Sequence, residues 1–357
     1  MKRLRELDFL RGIAILLVLL RHQPFSHFTK NIGWIGVDLF FVLSGFLVSG
    51  LLFKEYIRYG KINPGRFLIR RGFKIYPIYY LSYPLYLVVK AAPLSFPDIL
   101  SDLLFVQNYT RGWGYAYVAS WSLAVEEHFY FALTFLLFFI MRPAGTNTIA
   151  AAERIKKLPT ILFTLIIVCA LGRVASNIFL HDNVQNFTMT HVRIDSLLTG
   201  VLISFFFHFK KEQLTTIFQS NRYVLYIIAF IGLAWTPFAD PIPSFWVKTA
   251  GFSALAIAFG IVLLHVILTP AINEQLDRYF SGVAVNIIAT IGYCSYSIYV
   301  IHSLVNKCYE KYELFENNIL SFFVTSVISI LLGMFMTYKI EKMFLNLRDK
   351  RFPGRTA

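Results

Sequence analysis

Charged residues are scarce in this sequence. Only 15% of its 357 residues are Asp, Glu, Lys or Arg, whereas 57% are hydrophobic. Soluble domains carry about a quarter of their residues as charges. Several stretches approach or exceed the roughly 20 apolar residues that a membrane-spanning helix needs. The shortage of charge therefore excludes an ordinary soluble domain and predicts an all-α, polytopic membrane protein.

Cysteine is rare, and glycine-rich phosphate-binding motifs are missing. Cys169, Cys294 and Cys308 are scattered and form neither a disulfide framework nor a metal-binding spacing. The histidines are also dispersed, so we expect no metal site. The glycines form no P-loop or dinucleotide fingerprint, so a nucleotide would have to be held by side-chain cations. The net charge is +14, but the basic residues lie between the apolar runs rather than in one patch. This distribution argues against a nucleic-acid partner.

The apolar runs predict ten membrane-spanning helices. Basic residues concentrate in alternate connections, which places both termini in the cytoplasm by the positive-inside rule. We expect one membrane-embedded domain over 1–357, with a basic cytoplasmic tail at 346–357 and no appended soluble domain. The predicted spans are 8–27, 33–53, 73–90, 117–141, 159–179, 187–209, 222–238, 246–269, 282–306 and 319–345.

The first predicted helix carries an arginine near its start and a histidine near its end. The spacing of Arg11 and His22 leaves them roughly 20° apart around a helix and about 16 Å apart along it. Both therefore face one cavity at different depths, and a costly ionisable group within a span indicates a functional site. A signal peptide or a snorkelling arginine is the alternative, but the stretch lacks an uninterrupted apolar core and a cleavage site.

Further ionisable residues fall at the depth of His22 on this topology. Unpaired charges would be costly there, so the shared depth predicts a polar layer in the outer half of the membrane. His22 suits a general base because imidazole titrates near neutral pH, although it could also make one structural hydrogen bond. The other catalytic candidates are Asp38, Glu126, Glu127, Arg193, Asp195 and His302.

Structural roles remain open for these candidates. Glu126 and Glu127 point about 100° apart on a helix, so one should face the cavity and orient His22. We prefer Glu127 for that role and expect the other glutamate to pair with Arg193. Arg193 and Asp195 could equally form a structural ion pair. The same alternative holds for Asp38, and His302 could be a wetted interface residue.

A second group of charges lies at the inner mouth of the predicted bundle. Arginine forks bind phosphate oxygens bidentately, and lysine adds a point charge. Arg11, Arg70, Arg71 and Lys74 therefore predict a phosphate-binding site. Their plainer interpretation is ordinary positive-inside charge.

Six motifs follow one another along nearly the whole chain. They are Arg11-x10-His22, then GVDLFFVLSGF at 36–46, RRGFKIYP at 70–77, SWSLAVEEHFY at 120–130, RIDSLLTG at 193–200 and GYCSYSIYVIH at 292–302. In this order they resemble the acyltransferase family 3 membrane proteins. One motif differs, because the family's Arg-x-x-Arg stands here as Arg71-Gly72-Phe73-Lys74, which keeps the charge and loses one fork.

The resemblance implies transfer of an acyl group, usually acetyl from acetyl-CoA, to a hydroxyl of a carbohydrate or a secondary metabolite. It implies acyl-CoA as donor substrate, no tightly bound cofactor, and a cell-surface or lipid-linked glycan as acceptor. The expected location is a bacterial cytoplasmic (inner) membrane, where a homo-oligomer is compatible with the sequence. The extracytoplasmic esterase-like domain that some members carry is not expected.

The predicted charges fit this chemistry. The donor's phosphates would stay at the inner mouth while its pantetheine arm threads over about 16 Å. His22 would deprotonate the acceptor hydroxyl or take the acyl group itself. An outer-half arginine or the indole N–H of Trp121 could stabilise the oxyanion, and Ser122 is a further substrate-binding candidate.

Two other classes of protein share some of these features. A proton-coupled transporter or exporter would also use intramembrane His and Glu as a proton relay. The inverted repeats and broken helices expected of a transporter are not visible in the sequence. A structural scaffold leaves the layered charges unexplained. An acyltransferase is therefore the preferred interpretation.

Overall fold

The computed structural model describes residues 4–90, 92–142, 153–180, 182–312 and 317–354. Every regular element within these ranges is helical, which confirms the all-α prediction. The α-helices are α1 Arg5–His22, α2 His27–Gly33, α3 Gly36–Tyr59, α4 Pro64–Val89, α5 Phe96–Leu103, α6 Gln107–Thr110, α7 Ser120–Met141, α8 Leu158–Phe179, α9 Gln185–Thr188, α10 Ile194–Phe209, α11 Lys211–Ala234, α12 Phe252–Leu268, α13 Ile272–Phe280, α14 Gly282–Tyr293, α15 Ser295–Tyr312, α16 Asn318–Phe335 and α17 Lys342–Arg351.

Six helical segments of the described chain are long and apolar enough to cross a membrane. They are His27–Tyr59, Ser120–Met141, Glu153–Phe179, Lys211–Phe238, Val247–Leu268 and Asn318–Arg351. The pair α14 and α15 passes the same test together but bends by 77°, so it gives a seventh candidate as a broken span. Ten spans and cytoplasmic termini therefore remain predictions. The other three predicted spans coincide with α1 and α4, which are less apolar, and with α10, which is shorter.

The basic helix α4 begins well before the predicted span at 73–90. The side chain of Asn63 accepts a hydrogen bond from the backbone N–H of Arg66 at 3.0 Å, and Pro64 occupies the first turn. A capping side chain and a proline are typical of a helix start, because the first N–H groups have no partner within the helix. Arg66, Arg70 and Arg71 therefore lie on a helix. The rotation of about 100° per residue decides which of them share a face.

Close contacts between helix backbones bring the polar side chains together. Gly292 of α14 lies against α1, where an added Cβ would collide with the carbonyl oxygen of Asp8. Gly200 of α10 lies against α3, where a Cβ would collide with the carbonyl oxygen of Val42. Small residues at such crossings allow membrane helices to approach closely. These crossings make α14 a close neighbour of α1 and α10 a close neighbour of α3.

Candidate active site

A cavity lies between α1, α3, α4, α7 and α15. Its wall is apolar along much of α3 but also carries convergent charged and hydroxyl side chains, as expected of a ligand-binding site. The polar side chains of the wall are Arg11, Ser44, Arg71, Lys74, Ser122, Glu126, Tyr130, Ser295, Tyr296 and Tyr299.

Three cations, Arg11, Arg71 and Lys74, mark one end of this cavity. Arg11 donates from Nη2 to Ser295 Oγ at 3.0 Å. The guanidinium carbon of Arg71 lies 4.6 Å from the ring centroid of Tyr130, and its buried Nε has no hydrogen-bond partner within the described chain. An arginine fork with an unused donor, beside two more cations, can take up the oxygens of a phosphate.

The C-terminal segment pairs with two of the predicted phosphate-binding residues. Lys74 forms an ion pair with Glu341. Arg70 forms an ion pair with Asp349 at 2.9 Å and donates to the carbonyl oxygen of Phe352. Arg70 lies beside Arg71 in sequence but about 100° away around the helix, and it does not line the cavity. The structure therefore separates Arg70 from the cation cluster.

The adjacent glutamates of α7 face different surroundings. Glu126 lines the cavity and accepts hydrogen bonds from Ser44 Oγ at 2.8 Å and Tyr130 OH at 2.7 Å. Glu127 is buried outside the cavity wall and accepts from Tyr76 OH at 2.8 Å. One glutamate thus faces the cavity, as expected, but the preference for Glu127 in that position is wrong. The helical step between neighbours directs Glu127 toward α4 instead.

Two hydroxyl groups stand further along the cavity from the cations. Ser122 Oγ and Tyr299 OH are 2.5 Å apart, and Tyr299 OH also donates to the carbonyl oxygen of Ala119 at 3.0 Å. Tyr299 lies one turn, about 6 Å, beyond Ser295, the residue that bonds Arg11. The cavity therefore runs from the cation cluster to this hydroxyl pair.

A pair of histidines lies beyond the hydroxyls, and neither of them is part of the cavity wall. The ring centroids of His22 and His302 are 4.8 Å apart in an edge-on arrangement, and the His302 ring is 5.4 Å from the Tyr299 ring. Nδ1 of His302 is 2.6 Å from the carbonyl oxygen of Tyr299 and donates to it. This bond fixes the imidazole orientation. The structure thus joins two residues that were predicted only to share a depth.

No hydrogen bond in the described chain joins His22 to a glutamate of α7, because both carboxylates bond elsewhere. The expectation that Glu126 or Glu127 orients His22 is therefore not met in this structure. His302 is the ionisable side chain that packs against the His22 ring. The depth of each residue along its helix predicted the polar layer. Depth alone could not show which residues of that layer, on different helices, contact one another.

The remaining predicted charges form two buried ion pairs. Arg193 pairs with Asp38 at 2.9 Å, and Asp195 pairs with Arg173 at 2.8 Å. The expected partnership of Arg193 with a glutamate of α7 is wrong. The guanidinium carbon of Arg193 lies 3.6 Å from the ring centroid of Phe252. None of these four charged residues lines the cavity, so their arrangement favours the structural alternative.

Three residues correct the prediction in other ways. Arg173 was missed, although a lone arginine inside an apolar span requires a partner and could have signalled one. Trp121 lies 5.6 Å from Arg193, measured from the guanidinium carbon to the ring centroid, and does not line the cavity. Tyr299 was missed because a tyrosine in an apolar helix resembles a packing residue.

Within the described ranges, no group of three His, Cys, Asp or Glu side chains could hold a metal.

The apolar helices and the polar cavity between them define a multi-pass membrane protein with an internal site. The model of the acyltransferase 3 family, described as an acyltransferase domain, matches residues 4–338. The chain belongs to this family, as the six motifs indicated. Of the residues discussed above, Glu341, Asp349 and Phe352 lie outside the matched region.

Relatives with curated names are similar to most of this chain. Peptidoglycan O-acetyltransferase OatA of Listeria monocytogenes is 27% identical over 329 residues, covering 84% of this chain and 49% of the relative. O-acetyltransferase OatA of Staphylococcus aureus (strain NCTC 8325) is 26% identical over 315 residues, covering 83% and 49%. A relative from S. aureus (strain COL) is 27% identical over 345 residues, covering 87% and 52%. The chain spans about half the length of these relatives. No solved structure matches significantly.

Proposed function

We propose that this protein is a membrane O-acetyltransferase that moves an acetyl group from cytoplasmic acetyl-CoA to a hydroxyl of a cell-surface glycan. The observation that carries the proposal is the order of groups along the cavity. Cations stand at one end and a hydroxyl pair stands further along, and two histidines lie behind the cavity wall, next to the Tyr299 ring. The names of both OatA relatives support acetyl as the acyl group, and the name of the Listeria monocytogenes relative supports peptidoglycan as the class of acceptor.

The cation cluster would hold the phosphates of the donor. Arg11, Arg71 and Lys74 converge on one cavity end, and charge-assisted bonds to phosphate are among the stronger hydrogen bonds in proteins. Lys74 would exchange its pair with Glu341 for a phosphate oxygen. Glu126 lies between the cations and the hydroxyl pair, and its carboxylate could accept an amide N–H of the pantetheine arm.

The histidines would perform the proton transfer. His22 would take the proton of the acceptor hydroxyl as its oxygen attacks the thioester carbon, and would return a proton to the departing thiolate. His22 taking the acetyl group itself before passing it on is the covalent form of the same proposal. His302 would hold the His22 ring by edge-on packing. With the predicted topology, the acceptor approaches from the outer side of a bacterial cytoplasmic membrane.

An assay of the purified protein in liposomes tests the proposed function. We expect radiolabelled acetyl-CoA added on one side to lose its acetyl group, and soluble peptidoglycan glycan strands to gain it as an alkali-labile ester. Boiled protein and protein without acceptor serve as controls. A folded protein that neither binds nor consumes acetyl-CoA would contradict the proposal, and proton-coupled solute movement by the same preparation would favour a transporter.

Donor affinity should distinguish the two adjacent arginines of α4. We expect Arg71→Ala and Lys74→Ala each to weaken acetyl-CoA binding roughly ten- to a hundredfold, because each removes a charge-assisted phosphate contact worth about 1.5–3 kcal/mol. Lys74→Arg should be tolerated. Arg70→Ala is the matched control and should leave the affinity unchanged, because Arg70 pairs with Asp349 outside the cavity.

Titration calorimetry in detergent with a non-hydrolysable acetyl-CoA analogue measures these affinities. An Arg71→Ala, Lys74→Ala double variant that binds as tightly as the wild type would show that both residues only set membrane topology. An equal loss of affinity in Arg70→Ala would instead assign the phosphates to the outer face of α4.

A further inference from the structure

We propose that Tyr299 is a catalytic residue whose hydroxyl donates a hydrogen bond to the thioester carbonyl oxygen as that oxygen becomes negatively charged. Ser122 is its partner in this role. The inference rests on the proposed acetyl transfer and adds the group that stabilises its transition state. The sequence prediction had assigned that role to Trp121 or to an outer-half arginine.

The position of Tyr299 places its hydroxyl where the reactive end of the donor would stop. On α15, Ser295 bonds Arg11 at the cation end, Tyr299 follows about 6 Å further along, and His302 follows after about 4.5 Å more. Tyr299 lines the cavity, and its ring contacts that of His302. An arm anchored by its phosphates at Arg11 would therefore present its thioester between the Tyr299 hydroxyl and the histidines.

The hydrogen bonds of this hydroxyl can be redirected at low cost. Tyr299 donates to the carbonyl oxygen of Ala119 at 3.0 Å, and its oxygen lies 2.5 Å from Ser122 Oγ. Ser122 also donates to the Ala119 carbonyl at 3.2 Å. Two O–H groups thus share one neutral backbone acceptor. A developing oxyanion is a stronger acceptor than a carbonyl. One O–H can therefore turn to the oxyanion while the other keeps its hydrogen bond to the carbonyl oxygen of Ala119.

The other hydroxyls of the cavity wall are held elsewhere or, like Ser295, lie at the cation end. Tyr130 and Ser44 donate to the carboxylate of Glu126, which outcompetes a neutral acceptor. Tyr296 donates to the carbonyl oxygen of Ile75 at 2.6 Å. Tyr296 lies one residue after Ser295, hence near the cation end. Among the hydroxyls of the cavity wall, the pair of Ser122 and Tyr299 is therefore the one best placed to meet the thioester.

The hydrogen-bond donors that the sequence suggested for the oxyanion do not reach the cavity. Trp121 and Arg193 do not line the cavity. The Arg193 guanidinium is paired with Asp38 and packs on the Phe252 ring. Moving either group to the thioester would break a buried ion pair or its aromatic packing, whereas Tyr299 needs only a hydroxyl rotation.

The reaction step balances with these groups. The acceptor oxygen forms a bond to the thioester carbon while its proton passes to His22. The electron pair of the C=O double bond moves to oxygen, and Tyr299 donates a hydrogen bond to that oxyanion without losing its proton. When the pair returns, the carbon–sulfur bond breaks, and the thiolate leaves with the proton held by His22. Tyr299 ends the cycle unchanged.

The test is the kcat and acetyl-CoA Kd of Tyr299→Phe, which keeps the ring and removes the hydroxyl. We expect kcat to fall about a hundredfold, as for other single oxyanion donors, with Kd and melting temperature unchanged. Tyr117→Phe is the matched control. Tyr117 is also buried, and its hydroxyl donates to the backbone carbonyl of Tyr299, but it does not line the cavity. That variant should keep the wild-type kcat.

Several outcomes would overturn the inference. They are a wild-type kcat in Tyr299→Phe, an equal loss in Tyr117→Phe, or a loss confined to Trp121→Phe. Should Tyr299→Phe misfold, 3-fluorotyrosine at position 299 keeps the hydroxyl and changes its strength as a donor. A kcat that does not respond to fluorination then contradicts the role. A folded wild type that never consumes acetyl-CoA overturns the proposed function as well, whereas an active wild type with an indifferent Tyr299 overturns this inference alone.

Discussion

Replacing His22 by alanine is expected to abolish acetyl transfer while leaving acetyl-CoA binding intact. General acid–base catalysis contributes about 10²- to 10⁴-fold, so the transfer rate should fall by at least about a hundredfold. The cation cluster lies roughly 16 Å away from His22 along α1, so donor affinity should not change. Transfer of radiolabel to glycan strands and calorimetric titration of the donor measure the two quantities separately.

A histidine elsewhere in the bundle provides the control for His22→Ala. His265 of α12 bonds to Tyr226 OH at 2.9 Å and does not line the cavity, so His265→Ala should retain transfer. Near-normal turnover by a well-expressed His22→Ala variant would refute the role of His22. A parallel loss of donor binding would show that His22 acts on the donor site rather than on the proton.

The periodicity of a helix was enough to predict part of the site. The spacing of Arg11 and His22 indicated one face and two depths. The structure places Arg11 in the cavity wall, but His22 packs beside His302 outside that wall, so a cavity shared by both residues stays a prediction. This prediction needed only the rise and turn of one helix. The motif that begins at Arg70 was equally informative about charge. It was less informative about the directions of the side chains, because Arg70 and Arg71 point about 100° apart and contact different neighbours.

Contacts between helices could not be derived in the same way. Arg193 shares a predicted depth with Asp38 and with both glutamates of α7, and the sequence could not rank them. The choice of Asp38 follows from the packing of α3 against α10 through Gly200, which is a property of the assembled bundle. The preference for Glu127 failed for the same reason. Which of two neighbours faces a cavity depends on the rotation of the whole helix.

The ion pair of Asp38 and Arg193 is buried, so we expect its disruption to cause a large loss of stability. Both side chains are about 99% buried. Nη2 of Arg193 bonds Asp38, and Nε and Nη1 have no hydrogen-bond partner within the described chain. Asp38→Ala should therefore leave an uncompensated guanidinium among aromatic rings. Breaking a buried pair by removing one partner costs about 3–5 kcal/mol. Thermal unfolding in detergent should show a clear drop in melting temperature or a loss of folded protein.

A double replacement separates a structural role from a catalytic one. Asp38→Leu with Arg193→Met removes both charges and keeps apolar volume, and such exchanges are often neutral or stabilising. We expect this variant to regain most of the melting temperature lost by Asp38→Ala, and to regain acetyl transfer with it. Asp277→Asn is the matched control. It breaks the exposed pair with Arg5 and should have little effect. A double variant that is stable but inactive would place Asp38 or Arg193 in the chemistry, and an Asp38→Ala variant as stable as the wild type would refute the buried pair.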